Sequence, residues 1–259
     1  MSKLSWIAGL AFMCAGLVPA AQAQTHTLAG PEQPRTQTIA ALANNADREA
    51  VARRERSNDW LRANGIPVND NLPARSIADE TVRRDSDAVI DRLLALAIVA
   101  VHASEMDRGL TDSMIYNFDV ADVFTPEEMA FLQNEAPTRD ERAKYSWAFE
   151  NVEVLLWAVG LREELGHPGE VCDIDAIADT LLSNGSFGLR RRAELRSQEE
   201  IMDQADLIYR MHWALRQAQI EGEAPPAGMV WDVVFERHYA LNWLIGYMDQ
   251  PWDEVSTDT

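Results

Sequence analysis

The chain has 259 residues, 23 basic against 42 acidic for a formal charge of −19, and 47% of it is apolar, with eight tryptophans. That length gives one large or two small domains with material for a real core, and the aromatic content excludes disorder for the bulk of the chain. The charge argues against nucleic acid or an anionic membrane surface as the main partner, and two cysteines exclude a disulfide scaffold.

Residues 1–23 read as a secretory signal. Lys3 and the amino terminus form a short positive region, Leu4 to Val18 is uncharged and mostly apolar, Pro19 breaks it, and Ala21-Gln22-Ala23 supplies small residues for cleavage after Ala23. The apolar run falls short of the roughly 20 residues that span a bilayer, so the expectation is a periplasmic or secreted protein with no stable membrane insertion after cleavage. Cys14 leaves with the signal. Cys172 is then alone and has no partner within the chain, so stability must come from packing.

Thr25 to Thr36, with Gly30, Pro31 and Pro34, reads as a tether. Gln37 to Asn64 is helix-friendly up to Gly65, but its first part has few large apolar residues, so residues 24–55 are read as a tether and a poorly docked helical extension. Ser76 is placed as the cap of a long helical stretch whose apolar run, Val89 to Val101, stops by Gly109. Thr125-Pro126-Glu127-Glu128 has a cap, proline at the first helical position and glutamate at the third. A second start at Thr138 opens a helix to Val159, with Ala148, Phe149, Val152, Leu155, Leu156 and Val159 on one face and Gly160 as its stop. Asp173 to Leu182 is a shorter amphipathic piece. Ser197-Gln198-Glu199-Glu200 opens a helix to about Glu221, before Gly222 and Pro225-Pro226, and a last helix runs from about Met229 to Gly246. No run alternates as a strand would. The predicted fold is all-α, a single irregular or orthogonal bundle of about six to eight helices.

No phosphate-binding glycine loop, dinucleotide fingerprint, zinc-protease motif, nucleophile elbow or paired C-x-x-C is present, so no cofactor is expected. The chemistry-bearing candidates are polar residues set beside aromatic ones on core helices. Glu150 and Glu153 flank Trp147, Val154 and Trp157. Asp203 and Asp206 lie near Arg210, His212 and Trp213, with Asp206 and Arg210 at the spacing of a helix ion pair. Glu236, Arg237 and His238 precede Asn242 and Trp243, with His238 and Asn242 one turn apart. The catalytic candidates are therefore Glu150, Asp206, Arg210, His212, Glu236 and His238, with His212 and His238 as the only candidate metal ligands. Each also has an ordinary use: ion pairs that hold helices together, hydrogen-bonded histidines in the core, and tryptophans as packing. The run Arg190-Arg191-Arg192 with Arg196 has the chemistry to grip a phosphate or carboxylate, though on so acidic a protein pairing with its own carboxylates is favoured.

Several strings together resemble a known bacterial family. They are Ile201 to Ala214 (IMDQADLIYRMHWA), Glu236 to Leu244 (ERHYALNWL) and Trp252 to Thr259 (WDEVSTDT), with Trp147 to Gly160, Gly65-Ile66-Pro67 and Leu72-Pro73. The family is domain of unknown function 4272, and the likeness spans about Arg56 to Thr259, which sets the expected domain at residues 56–259. The family has no established activity, so the resemblance implies no catalytic role. Met202 stands where the family pattern implies leucine, a volume-conserving change, and export departs from a family pictured as mainly cytoplasmic.

If the polar helices pack together, an unpaired buried charge costs several kcal/mol, roughly. The expected pairings are Arg210 with Glu236 and Arg237 with Asp206. The leading functional expectation is an exported, non-enzymatic domain that binds an unknown protein or small ligand, and not nucleic acid. One alternative is a small hydrolase or lyase, which requires the candidate side chains to converge at an open pocket. The other is an immunity or inhibitor protein with an acidic face for a basic partner.

Overall fold

In the computed structural model, residues 33–75 and 84–259 are described, with the side chains from Asn45 onward apart from Asp47. The signal segment, the tether up to residue 32 and the Ser76 cap lie outside them. The fold is all-α. The helices are α1 (Gln33–Ala63), α2 (Ser86–Glu105), α3 (Arg108–Phe118), α4 (Pro126–Gln133), α5 (Arg139–Ser146), α6 (Ala148–Ala158), α7 (Ile174–Arg192), α8 (Gln198–Glu221) and α9 (Trp231–Leu244). Only Trp147 separates α5 from α6, and as one bent rod they bring the helices to the six to eight expected.

α2 is the spine. Asp85 caps it by accepting from the Ala88 amide, and Met106 ends it in the left-handed region. Between them Val89, Ile90, Leu93, Leu94, Ile98 and Val99 are fully buried, on every side of the helix. A helix apolar all round must be covered all round. α6 and α5 pack on it most extensively, with α3, α7 and α4 closing the remaining sides. From α6 the contacts continue to α9, then α8, then α1, so a second stack leans on the spine through α6.

The capping boxes at Thr125, Thr138 and Ser197 form as the sequence predicts. Arginines close the opposite ends. Arg142 donates to the Ala103 and Ser104 carbonyls at the end of α2, Arg196 to Trp157 at the end of α6, Arg84 to Trp243 at the end of α9, and Arg108 to Leu132 at the end of α4. Helix-terminal carbonyls lack the usual amide four residues on, although those of Trp157 and Trp243 also accept the Gly160 and Gly246 amides, and a cation suits the negative end of the helix dipole.

Besides α3, which the sequence does not single out, and the break at Trp147, three details differ from the sequence expectation. α1 begins at Gln33, before the predicted Gln37, and it is docked N-terminal to Arg56, where Ala50 and Arg53 are both buried. Arg53 reaches Asp203 of α8 at 2.9 Å and the Arg75 carbonyl at 3.1 Å, and such a long polar arm docks a helix with few apolar residues. α7 continues past Leu182 to Arg192 through a break at Gly185, whose φ of 59° and ψ of 178° favour glycine. Ile98→Ala is expected to lower unfolding free energy by about 2–5 kcal/mol in chemical denaturation. A loss below about 1 kcal/mol would contradict the role of α2 as the spine.

Candidate functional site

The polar residues of α8 and α9 meet as a buried layer, but not in the expected pairs. Arg210 chelates Asp206 on its own helix, Nε to Oδ2 and Nη2 to Oδ1, both at 2.9 Å, and Nη2 also donates to the Pro73 carbonyl at 3.0 Å. The i,i+4 spacing lets the guanidinium fork fit both carboxylate oxygens without crossing to α9. Arg237 faces the other way, toward α6 and the loop after it. Its Nη1 donates to the Leu165 and Gly166 carbonyls at 2.8 and 3.1 Å, and its Nε lies 3.5 Å from Glu150 Oε2. The expected Arg210–Glu236 and Arg237–Asp206 pairs are therefore replaced. Asp203, one turn before Asp206, binds Arg53 and Arg56 of α1 instead.

Beside the ion pair runs a directed hydrogen-bond chain. Arg75 Nη1 donates to Asn242 Oδ1 at 2.8 Å, and Asn242 Nδ2 donates to the Ser256 carbonyl at 2.7 Å. A guanidinium only donates and a carbonyl only accepts, so the amide orientation is fixed. Nδ2 therefore donates to His238 Nε2 at 3.1 Å. The proton of a neutral His238 must then sit on Nδ1, which donates to His212 Nδ1 at 2.9 Å, and His212 carries its own proton on Nε2. Burial holds both imidazoles below the ordinary histidine range, His212 at about 4 with the Arg216 charge adding to the effect. His238 lies well below its usual value, pushed also by Arg75 and His212. Both are neutral at pH 7. Their facing nitrogens share a proton, and among the described residues no three His, Cys, Asp or Glu side chains are grouped to hold a metal ion.

Glu150 is equally enclosed. Its Oε1 accepts the Cys172 amide at 2.6 Å, and burial with the nearby Glu150 charge pushes the Cys172 thiol up, away from reactivity. Glu153 pairs with Arg162 through both oxygens at 3.1 Å. Two arginines of the basic run are engaged within the chain: Arg190 holds Asp91 and Asp87 of α2, and Arg192 holds the Asn184 amide oxygen.

Glu150, Asp206, Arg210, His212 and His238 are each 2% exposed or less. Glu236 stands apart, because it lines a part-open cavity of about 260 Å³ bounded by α2, α4, α5, α6, α9 and the turn at Trp252–Glu254. Its Oε2 accepts from Asn151 Nδ2 at 2.6 Å, and burial lifts its carboxyl to about 7 against the lowering effect of that bond. Tyr145, Phe235, Tyr239 and Trp252 supply aromatic wall, and Glu127, Glu128, Lys144 and Asp253 the charges. Trp252 is held by the Tyr239 hydroxyl on its carbonyl and by edge contacts to the Tyr239 and Trp243 rings at 5.2 and 5.4 Å. Glu128 is engaged by Arg92 and by the Thr125 amide it caps.

The sequence singled out Glu236 but not Asn151, Tyr239 or Asp253 as its companions. Tyr239 follows Glu236 by three positions, a same-face spacing that marks it as a neighbour. Nothing local ties Asn151 or Asp253 to them.

Arg210→Ala is expected to cost about 3–5 kcal/mol in denaturant unfolding, because Asp206 is left buried and uncompensated. Replacing both partners, Arg210→Met with Asp206→Leu, is expected to recover most of that loss. Near-unchanged melting of Arg210→Ala would contradict the account.

The family model described as Domain of unknown function (DUF4272) matches residues 53–255, most of the chain and all of the polar layer. No curated protein and no solved structure matches the chain.

Proposed function

The chain belongs to the DUF4272 family, and we propose that this member is an exported module that holds a small molecule in the Glu236 cavity, with the buried α8–α9 layer as its frame. The observation that carries the reading is the division of the polar residues. Five of the six candidates are sealed from solvent, and the sixth lines an aromatic-walled cavity. A hydrolase or lyase working through the histidines would need them to reach a substrate. Small-ligand sites are concave, largely apolar and marked by a few placed polar groups, and the Glu236 cavity has that make-up.

Export rests on the leader read in residues 1–23, which supports a periplasmic or secreted module. Among the described residues no helix is long and apolar enough to cross a membrane. One observation favours a second reading. A carboxyl titrating at about 7 in a cavity suits proton transfer at neutral pH, so Glu236 would be the general base or acid if the bound molecule is also transformed.

Equilibrium dialysis of the purified chain against a periplasmic metabolite extract, read by mass spectrometry, tests the proposal. At least one compound is expected to be retained by the wild type and lost by Ala148→Met, which fills the cavity with a flexible side chain, in protein that is still folded by circular dichroism. Retention of nothing above the dialysate level would contradict binding. Appearance of a new compound in place of the retained one would favour the catalytic reading.

A further inference from the structure

We propose that the Glu236 cavity is a site for a small organic ammonium ion, its charged nitrogen taken by Glu236, Asp253 and the Asn151 amide oxygen and its carbon body laid against Phe235, Tyr239 and Trp252. The inference rests on the reading of this cavity as a ligand site.

Size comes first. About 260 Å³ is the volume of roughly nine liquid waters, which suits a small molecule. Charge comes next. Four carboxyl groups and one lysine line the cavity. Lys144 is spent on Glu127 at 3.0 Å, and Arg92 on Glu128. Glu236 and Asp253 form no salt bridge among the described residues, and Lys144 acts on both only through space, so the cavity offers an incoming ligand two carboxyl groups without a bonded cation. An anion would be repelled, and a neutral molecule would leave that charge unanswered.

The third observation is independent of charge. Asn151 lines the cavity and is only 3% exposed, yet its Oδ1 is buried without a donor. Its Nδ2 is committed to Glu236. A buried acceptor left empty is costly and asks for an N–H or O–H. Ammonium groups carry such donors and also answer the two carboxyls.

The walls suit the same ion. Tyr239 and Trp252 meet edge to face at an interplanar angle of 69°, and Phe235 lies 6.4 Å from Tyr239, centroid to centroid. Aromatic faces attract cations, Trp most strongly, and the Arg92 guanidinium already lies over the Trp252 ring, 5.2 Å from its centroid. The rim already holds one ammonium in this manner, since Lys144 Nζ lies 5.0 Å from the Tyr145 ring centroid while it pairs with Glu127.

Acidity then couples to occupancy. Glu236 faces Glu127 and Glu128 from α4, Lys144 from α5, Glu150 from α6, Asp232 on its own helix and Asp253 from the last turn. Burial raises it to about 7, opposed first by the Asn151 hydrogen bond, with Asp232 and Glu150 raising it further and Lys144 lowering it. In the empty cavity near neutrality the group is part-protonated, which spares the fold a buried lone charge. A bound cation favours the ionised form, so binding expels a proton and weakens as pH falls below about 7.

The probe is n-butylammonium, with n-butanol and butyrate as neutral and anionic counterparts. Binding to the full mature chain is followed by NMR through the Trp252 indole and Asn151 amide signals. Saturable shifts are expected for the ammonium alone, about fivefold tighter at pH 8 than at pH 6. Glu236→Gln is expected to weaken binding by about tenfold and to remove the pH dependence. Asp253→Asn, a near-isosteric change at a half-buried position, is expected to weaken it while the protein stays folded. Butanol or butyrate binding as tightly as the ammonium, or an unchanged affinity in folded Glu236→Gln, would overturn the proposal. So would the absence of any shift. If a metabolite is nevertheless retained by the wild type and lost in Ala148→Met, the ligand class falls and the cavity reading stands. Failure of both experiments removes both.

Discussion

Burial of α2 on all of its sides is the constraint from which the rest of the structure follows. Val89 to Ala103 presents apolar side chains in every direction, and no helix can leave such a surface in water. α5 and α6 must bend around it at Trp147, α3, α4 and α7 must fill the remaining sides, and α9 and α8 are stacked behind α6. The tightness of this wrapping explains the arginine caps. Helix ends that abut other elements lose water, and side chains that reach back from neighbouring segments replace it at four of them.

α9 links frame and cavity because it has no single inner side. His238 and Asn242 turn to α8 and the hydrogen-bond chain, Arg237 and Leu241 turn to a separate cleft beside His167, and Phe235, Glu236 and Tyr239 turn to the cavity. The frame is built to stay put. Each bond in the chain from Arg75 to His212 has a fixed direction, and the Asp206–Arg210 chelate closes on itself. Such locked polar groups position a neighbouring site without taking part in its chemistry.

The sequence made some of this legible and hid the rest for physical reasons. Capping is local, so Thr125, Thr138 and Ser197 announce three helix starts within four residues each. The His238–Asn242 contact is also local, one turn along α9. The Arg210 partner was misassigned between helices because ion pairing depends on the relative rotation of α8 and α9, which no local pattern encodes. The part of α1 before Arg56 reads as poorly docked because Arg53, a charged residue, shares its attachment with Ala50. The cavity was the least visible feature. Asn151 and Glu236 lie 85 positions apart, and Asp253 joins them only because the chain folds back after α9.

The central claim is that the histidine layer is an inert frame and that Glu236 beside it is the group poised to respond. One NMR pH titration, following the Glu236 carboxyl carbon and the imidazole nitrogens of His212 and His238, tests it most directly. The account predicts an inflection for Glu236 at about pH 7. It predicts both imidazoles neutral through that range, His238 protonated at Nδ1 and His212 at Nε2, with His212 titrating only at about pH 4. Histidines inflecting near their usual value of about 6.5, with Glu236 inflecting near about 4.3, would contradict it.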